Sequence, residues 1–519
     1  MRKPGASKAQ NRRSRSSTRR GTARLCWLVV ASTLGGCGLA EVRPGLDVAV
    51  PKAFDNAKAV ASAPLSLDWP KLFGSPELDR LAQATATGNL DVAAAAARIL
   101  QADAQTAIQA SVLYPQISSN VNASRNASPG TVRQRTGPFK TVANNTFQLG
   151  LTASYSLDLW GQNKLATLAA AENSKVSRFD RDAVVLSSVA STVNSYLNLL
   201  SAQDRLKIAD DNLKDAREAL EAIKGRLAVG TVTGLEVAEQ QSVVDQQFAT
   251  VPPLQQQLLQ AKTAIALLTG STPESLKIKG GGLDRIKVPS IPAGVPSQLL
   301  RRRPDVGAAE AALSSTDADV LSARAALLPN VTLTASGGLE SILLKTLLRP
   351  EAAFGNVAAG LVQPLIDGGN LRGQLDLARG RDLENLQDYR KAVIQALVDV
   401  ENALIAIAQN TEHERRLAAV VKSSKEAYDI TRARLKEGTI DIVTVLNAEQ
   451  TLFSAQDALA VVRLARLTAV VSLAQALGGG WTRPDIVTIP QPSPWRPVPA
   501  EALAPEAPSS ALVVTERRS

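Results

Sequence analysis

The sequence contains one seven-residue motif twice, as Arg226-Leu-Ala-Val-Gly-Thr-Val232 and as Arg434-Leu-Lys-Glu-Gly-Thr-Ile440, with an offset of 438 − 230 = 208 between their glycines. Two further matches lie upstream in the same order: Val193-Asn-Ser-Tyr-Leu197 with Val400-Glu-Asn-Ala-Leu404, and Leu113-Tyr-Pro-Gln-Ile117 with Leu327-Leu-Pro-Asn-Val331, at offsets of 207 and 214. This period is far longer than that of solenoid repeats. We therefore predict an internal duplication in which each copy is half of the molecule.

Each copy also contains a run without glycine or proline that is unusually long for a globular helix. The runs cover residues 162–224 and 381–437, and their apolar residues recur every three or four positions. At about 1.5 Å per residue they correspond to helices on the order of 90 Å long, and the sustained period is that of a coiled coil. Gly230 and Gly438 are predicted to end these helices. Leu235–Val251, before a kink at Pro252-Pro253, and Ile442–Leu477 are predicted to return antiparallel.

The hydrophobic period changes from helical to two upstream of each long helix. Phe147, Leu149, Leu151, Ala153, Tyr155, Leu157 and Leu159 alternate with polar residues or glycine over 13 residues. A tilted transmembrane strand needs roughly 9–11 residues. Weaker alternation near residues 117–123, 331–335 and 357–361 completes β-hairpins at about 115–159 and 329–366, each preceded by a helix, the first over 76–112. The alternative is two hairpins of a soluble sandwich, but the sequence has no further strand-like segments for a second sheet.

Four amphipathic strands are too few to close a membrane barrel. An open sheet edge in lipid leaves backbone groups without hydrogen bonds, and single-chain barrels begin at eight strands. The chain must therefore oligomerise, giving eight strands from two copies or twelve from three. We predict a mixed, mainly α fold in which the strands join such a barrel and the long helices continue it as a coiled-coil tube.

The positive charge of the chain is concentrated at its N-terminus. The formal charge is +10, but nine Lys and Arg residues and no acids precede residue 37, so the remainder has 58 − 9 = 49 basic and 48 acidic residues. The high pI is therefore no evidence for nucleic-acid binding. This basic segment and the short apolar core Leu25-Cys-Trp-Leu-Val-Val-Ala31 are typical of a secretion signal.

The signal ends in Leu34-Gly-Gly-Cys37, which resembles the lipobox of bacterial lipoproteins. The resemblance implies that residues 1–36 are removed, that Cys37 is lipidated, with palmitate as one candidate acyl group, and that residues 37–75 form a tether to outer-membrane lipid. The alternative, an ordinary signal peptidase site, would leave Cys37 as an unpaired thiol in an oxidising compartment. Residues 481–519 are predicted to be a Pro-rich tail.

Several motifs resemble the TolC-like outer-membrane efflux proteins, and in particular their lipoprotein branch that serves RND (resistance-nodulation-division) pumps. These are Leu299-Leu-Arg-Arg-Arg-Pro-Asp305, Tyr155-Ser-Leu-Asp-Leu-Trp-Gly161, Ala325-Ala-Leu-Leu-Pro-Asn330 and both Gly-Thr turns. The resemblance covers about residues 69–480 and implies structural repeats at 76–285 and 286–480. It further implies a homotrimer with a twelve-stranded barrel in the outer membrane, a periplasmic helical duct, and a tip that meets an adaptor (membrane fusion) protein and an inner-membrane RND transporter.

The resemblance also suggests roles for particular residues. Gly230, Thr231, Gly438 and Thr439 are expected to form adaptor-docking tips, although they could be turns only. Rings of carboxylates favour cations, so Glu236, Glu239 and Asp441 are candidates for a periplasmic gate; the alternative is ordinary surface acids, and Thr444 and Asn447 stand where relatives often carry acids. Arg301, Arg302, Arg303, Pro304 and Asp305 are the family marker, and Pro304 suits the first turn of a helix.

Residues for catalysis or metal binding are scarce. His413 is the only histidine and lies in the charged stretch Glu412-His-Glu-Arg-Arg416, where no cysteine or second histidine can join it. No nucleophile elbow, P-loop or metal-ligand spacing occurs, so we predict no enzyme, no metal and no cofactor.

The function predicted is a passive, lipid-anchored outer-membrane exit duct for small-molecule efflux that extends into the periplasm. One alternative is the exit channel of a type I protein secretion system, which shares the fold. The other is a structural lipoprotein that bridges the periplasm, a class that would not need membrane strands.

Overall fold

A computed structural model of the chain describes residues 48–51, 53–56, 65–66, 68–128 and 142–484. The predicted signal peptide, Cys37 and most of the Pro-rich tail lie outside these ranges. The helices are α1 (Pro76–Gly88), α2 (Leu90–Ser111), α3 (Gln162–Ala228), α4 (Gly234–Leu268), the short α5 (Pro296–Leu299), α6 (Pro304–Ala325), α7 (Asn370–Lys436) and α8 (Ile442–Ala476). The strands are β1 (Gln116–Ser128), β2 (Val142–Leu157), β3 (Asn330–Ser341) and β4 (Ala353–Val362).

The single helix predicted over residues 76–112 is instead two helices, and Asn89 separates them. The Asn89 side-chain oxygen accepts hydrogen bonds from the amides of Asp91 (2.8 Å) and Val92 (3.1 Å), which caps the start of α2. Asparagine is a favoured N-cap because its side chain satisfies amides that have no partner within the helix. The Asn89 amide nitrogen also donates to the Leu268 carbonyl at 2.8 Å and so holds this break against the end of α4.

The four strands form one antiparallel sheet in the order β1-β2-β3-β4. Its central pair, β2 with β3, joins the two halves of the sequence, with Ala153 opposite Ala335. Because directly opposed residues share a face, the register aligns Ile117, Ala153, Ala335 and Val357 in one apolar row and Ser118, Thr152, Ser336 and Asn356 in a polar one. One face of the sheet is therefore apolar from edge to edge, and the other is polar.

The apolar face of this sheet is exposed at its outer strands in the part of the chain that the structure describes. Val121 is 80% exposed and Val357 is 84% exposed, although both lie in the apolar rows. The described residues also leave β1 paired only with β2, and β4 only with β3. The apolar face and both edges are thus available to surroundings outside the chain.

The two long helices, α3 and α7, have 67 residues each and their return helices, α4 and α8, have 35 each. At about 1.5 Å per residue, 67 residues span roughly 100 Å. Helix α7 begins eleven residues before the glycine-free run, because Gly373 and Gly380 lie inside it with no steric constraint. Helix α4 continues through Pro252 and Pro253 to Leu268, so the first return is longer than predicted.

The core lies between the helices and has three main clusters. The first contains Trp69, Phe73 and Leu78, from α1 and the segment just before it, packed against Val193 and Leu197 of α3. The second joins the middle of α7 to the end of α8. The third joins both helical hairpins close to their turns and contains Leu220, Ile223, Tyr428 and Phe453.

Gly338 provides a test of the sheet register. A Cβ atom at this position would lie 2.2 Å from the Leu149 carbonyl oxygen, so Gly338→Ala should lower the free energy of unfolding by about 1–3 kcal/mol through backbone displacement. Gly355→Ala is the matched control, because a Cβ there meets nothing within 4 Å. Thermal unfolding followed by circular dichroism should show a lower Tm for the first variant only. Equal Tm values would contradict the β2–β3 register.

Candidate functional site at the hairpin tips

Both helical hairpins end in the same turn. Gly230 and Gly438 adopt left-handed backbone conformations, with φ angles of 71° and 73°. The Gly230 amide donates to the Leu227 carbonyl at 2.9 Å, and the Gly438 amide donates to the Leu435 carbonyl at 3.1 Å. Left-handed backbone is a conformation that glycine adopts without steric cost, which explains the residue type at both turns.

The threonine that follows each glycine completes the turn. The amide and the hydroxyl of Thr231 both donate to the Arg226 carbonyl at 3.0 Å. Thr439 makes the same two bonds to the Arg434 carbonyl at 3.1 Å. These are Schellman turns, in which the last helical carbonyls are satisfied by the two residues beyond the cap. The repeated motif is therefore a helix-ending turn in each half of the chain.

The first return helix, α4, begins with a capping box. The Thr233 hydroxyl accepts from the Leu235 amide at 3.2 Å, and the Glu236 carboxylate accepts from the Thr233 amide at 3.0 Å. The Thr233 hydroxyl also bonds to that carboxylate. These hydrogen bonds, first that from the Thr233 side chain, lower the pKa of Glu236. One predicted gate acid is thus part of a helix cap.

The second return helix, α8, is capped by Asp441. Its carboxylate accepts from the Thr444 hydroxyl at 2.7 Å and from the Thr444 amide at 2.8 Å. The bond from the Thr444 side chain is the main reason why the pKa of Asp441 is lowered. Thr444 therefore holds the Asp441 carboxylate in place at the start of α8. Asn447 is exposed further along the helix.

The structure brings the three predicted gate acids together. Glu236, Glu239 and Asp441 line one cleft of about 270 Å³ between the two tips. One carboxylate oxygen of Glu239 is buried and has no hydrogen-bond partner within the described ranges. The cleft therefore carries an excess of negative charge from both hairpins.

Arg226 also lines this cleft and was missed as a site residue. Its guanidinium donates to the Leu435 carbonyl of the other hairpin at 3.3 Å. Its position in the sequence could have identified it, because Arg226 and Arg434 are the first residues of the two copies of the repeated motif. Arg226 joins the tips and offsets part of the acidic charge.

The arginine-rich family marker lies far from the tips and fixes helix ends. Pro304 occupies the first turn of α6 and Arg303 its N-cap position, but the Arg303 side chain makes no cap bond. It is buried and instead binds Asp305 (2.6 Å) and Asp399 (2.9 Å). It also donates to the Ala476 carbonyl at the end of α8, at 3.3 Å. Arg301 is exposed, and Arg302 contacts Gln298 at 3.4 Å.

His413 is exposed on α7. Among the described residues, no group of three or more His, Cys, Asp and Glu side chains is arranged to hold a metal ion.

An amphipathic four-stranded sheet that continues into two helical hairpins with glycine-threonine tips defines the class of TolC-like outer membrane channels. The sequence matches the family described as "Outer membrane efflux protein" over residues 81–271 and 295–479, and the chain belongs to that family.

Named relatives and a solved structure agree with this assignment. The chain is 36% identical over 454 residues to the pyoverdine export outer membrane protein OpmQ of Pseudomonas aeruginosa, covering 86% of this chain and 95% of that protein. It is 29% identical over 459 residues to the toluene efflux pump outer membrane protein TtgC of Pseudomonas putida, covering 87% and 94%. The structure of the outer-membrane channel OprN superimposes with a TM-score of 0.79 at 28% identity, covering 85% of this chain and 99% of that one.

Proposed function

We propose that the protein is the outer-membrane exit duct of a tripartite efflux system, conducting small molecules passively from an inner-membrane RND transporter and a periplasmic adaptor protein. The single observation that carries this proposal is the sheet, which has one continuous apolar face and two unpaired edges in the described chain. In lipid such edges must pair with further strands, because no water is present to bond the backbone. Neighbouring copies of the same chain supply those strands.

Three copies would give a closed barrel of twelve strands, with the apolar rows towards lipid and the polar rows lining an aqueous lumen. The equal lengths of α3 and α7, and of α4 and α8, support a duplicated unit whose six hairpins in a trimer form a tube. A tube of roughly 100 Å reaches deep into the periplasm.

The named relatives favour efflux over type I protein secretion, and the strands disfavour a purely structural lipoprotein. The relatives are named for pyoverdine, a siderophore, and for toluene, an aromatic hydrocarbon. Cargo so different in polarity supports a duct that selects little and receives its cargo from a selective pump.

The negatively charged cleft supports a gate at the tips. Glu236, Glu239 and Asp441 recur by symmetry in a trimer, and a ring of carboxylates at a constriction favours cations. Because Glu236 and Asp441 are also helix caps, Glu239 is the acid that can face permeating ions without disturbing a cap.

Planar-bilayer recording tests both the duct and the gate. The purified full-length trimer should form cation-favouring channels, and Glu239→Gln should reduce the cation preference measured by reversal potential because it removes one carboxylate per subunit. Glu274→Gln, which removes an exposed acid from a loop, is the control and should leave the preference unchanged. A monodisperse monomer without conductance would contradict the duct, and an unchanged reversal potential in Glu239→Gln would contradict the gate.

The second proposal for this region is adaptor docking at Gly230, Thr231, Gly438 and Thr439, which are exposed at the hairpin ends. Gly230→Arg and Gly438→Arg should impair export while the trimer still forms, because a bulky cation blocks the contact surface. Gly368→Arg is the matched control: its φ of 67° imposes similar backbone strain, of about 1–2 kcal/mol, and its Cβ also meets nothing within 4 Å. Minimum inhibitory concentrations of exported drugs give the readout. Equal tolerance in all three variants would refute docking at the tips.

Lipidation at Cys37 is proposed from the sequence, because this residue lies outside the described chain. Cys37→Ser removes the thiol that would carry the thioether-linked lipid, so metabolic labelling with palmitate should be lost. Cys26→Ser, in the segment predicted to be removed, is the control and should keep the label. Incorporation of palmitate into the Cys37→Ser protein would show that the anchor assignment is wrong.

A further inference from the structure

Glu449 is an acid that neither the duct nor the gate uses. It lies on α8, about two turns beyond the tip, and its side chain is 0% exposed. Both of its carboxylate oxygens lack a hydrogen-bond partner within the described part of the chain. A buried, unpaired carboxylate is strongly disfavoured in its charged form. Its burial comes from helices of its own chain and does not depend on assembly.

One polar partner of Glu449 comes from the other helical hairpin. The Gln240 side chain on α4 is 1% exposed and lies within hydrogen-bonding reach of the Glu449 carboxyl group. The Gln240 amide nitrogen donates to the Ala216 carbonyl of α3 at 3.0 Å. The Gln240 carbonyl oxygen has no donor within the described ranges. Acceptor atoms from two hairpins therefore meet, and a single proton would provide the missing donor.

The charged and titratable groups around this pair come from the other helices. Asp215 faces Glu449 from α3, and Tyr428 and Arg432 face it from α7. Arg432 also pairs with Glu218 at 3.6 Å, so its charge is shared, and Asp429 lies near Tyr428. Burial raises the pKa of Tyr428 to about 12, so this phenol stays neutral at physiological pH.

We propose that Glu449 is a proton-binding site that joins the two helical hairpins, with its neutral carboxyl group donating a hydrogen bond to the Gln240 carbonyl oxygen. Ionisation transfers that proton to water and leaves a carboxylate, whose charge must be hydrated. Water reaches Glu449 when the α7/α8 hairpin moves away from α3 and α4. The packed tip therefore holds the proton and the separated tip releases it.

The direction of the pH effect follows from the burial. Burial raises the pKa of Glu449 from 4.5 to about 7, and repulsion from Asp215 adds to the shift, whereas the contact with the Gln240 side chain and the charge of Arg432 oppose it. Between these two pKa values the packed protein binds one more proton per chain than the unfolded protein. Stability should therefore fall as the pH rises from about 4.5 to about 7 and should not change further above that through this group.

A consequence for transport rests on the proposed function. Low pH should hold the tips closed, and a pH above about 7 should favour their separation. The proton thus regulates the duct from a site outside the conducting path. The proton-binding site itself is testable without any assumption about transport.

The first test is an infrared titration of the full-length protein in detergent, comparing wild type with Glu449→Gln. The amide is neutral at every pH and can still donate to Gln240. The wild-type minus variant spectrum should contain the carbonyl stretch of a protonated carboxyl group that disappears with a midpoint near pH 7. The wild-type Tm should fall over the same range more than the Tm of the variant. Glu426→Gln, which changes an exposed acid of α7, is the control and should retain the wild-type titration.

A difference spectrum without this band, or an identical pH slope of Tm in wild type and Glu449→Gln, would overturn the proposal. If Glu449→Gln does not fold, Glu449→Met provides a second neutral side chain of similar length for the same comparison.

Recording of channel activity is a separate experiment. Open probability in planar bilayers should rise with pH in wild type and in Glu426→Gln but not in Glu449→Gln. Absence of channels in every protein would refute the duct and leave the infrared result valid, whereas equal pH dependence in all three would refute regulation by Glu449.

Discussion

Pairing of backbone hydrogen bonds at the edges of the sheet is the constraint on which the rest of the structure depends. The β2–β3 pairing unites halves of the chain that lie far apart in sequence, with Leu151 opposite Gly337. It leaves β1 and β4 as outer strands of the described sheet. In water the exposed apolar rows would be unfavourable, and in lipid the unpaired backbone groups of the open edges would be unfavourable. Only further strands resolve both problems, and this requirement connects a monomer fold to the proposed oligomeric duct.

The long helices likewise depend on contacts with other parts of the structure. Most of the stability of a 67-residue helix in this fold comes from the apolar seam that it shares with its return helix and with the other hairpin. The Schellman turns fix the direction in which each return helix leaves. The caps that start the return helices use Glu236 and Asp441, so two of the three acids of the cleft are held in place by hydrogen bonds. Above the cleft, the contact between Glu449 and Gln240 places a titratable group between the two hairpins.

Sequence patterns predicted β2 and the long helices because each has a long hydrophobic period, and they predicted the other three strands from a weaker alternation. The alternation at 147–159 lies within β2 except for its last two residues, and the glycine-free runs lie within α3 and α7, apart from the turn residue Glu437. The patterns failed where one side chain or a tolerated glycine decided the outcome. Asn89 divides the predicted first helix because it serves as an N-cap. Gly373 and Gly380 do not stop α7, since a long helix can accommodate the modest cost of an exposed glycine.

The candidate site also has one part that the sequence predicted and another part that it did not. The sequence by itself determined the two glycine-threonine turns, since local backbone geometry selects those residue types wherever a helix must end. Only the tertiary structure decided which side chains meet across the hairpins: Arg226 with the Leu435 carbonyl, and Gln240 with Glu449. These partners are about 200 residues apart in sequence. Their contact follows from the packing of one hairpin on the other, which a local period of two or 3.6 residues does not encode.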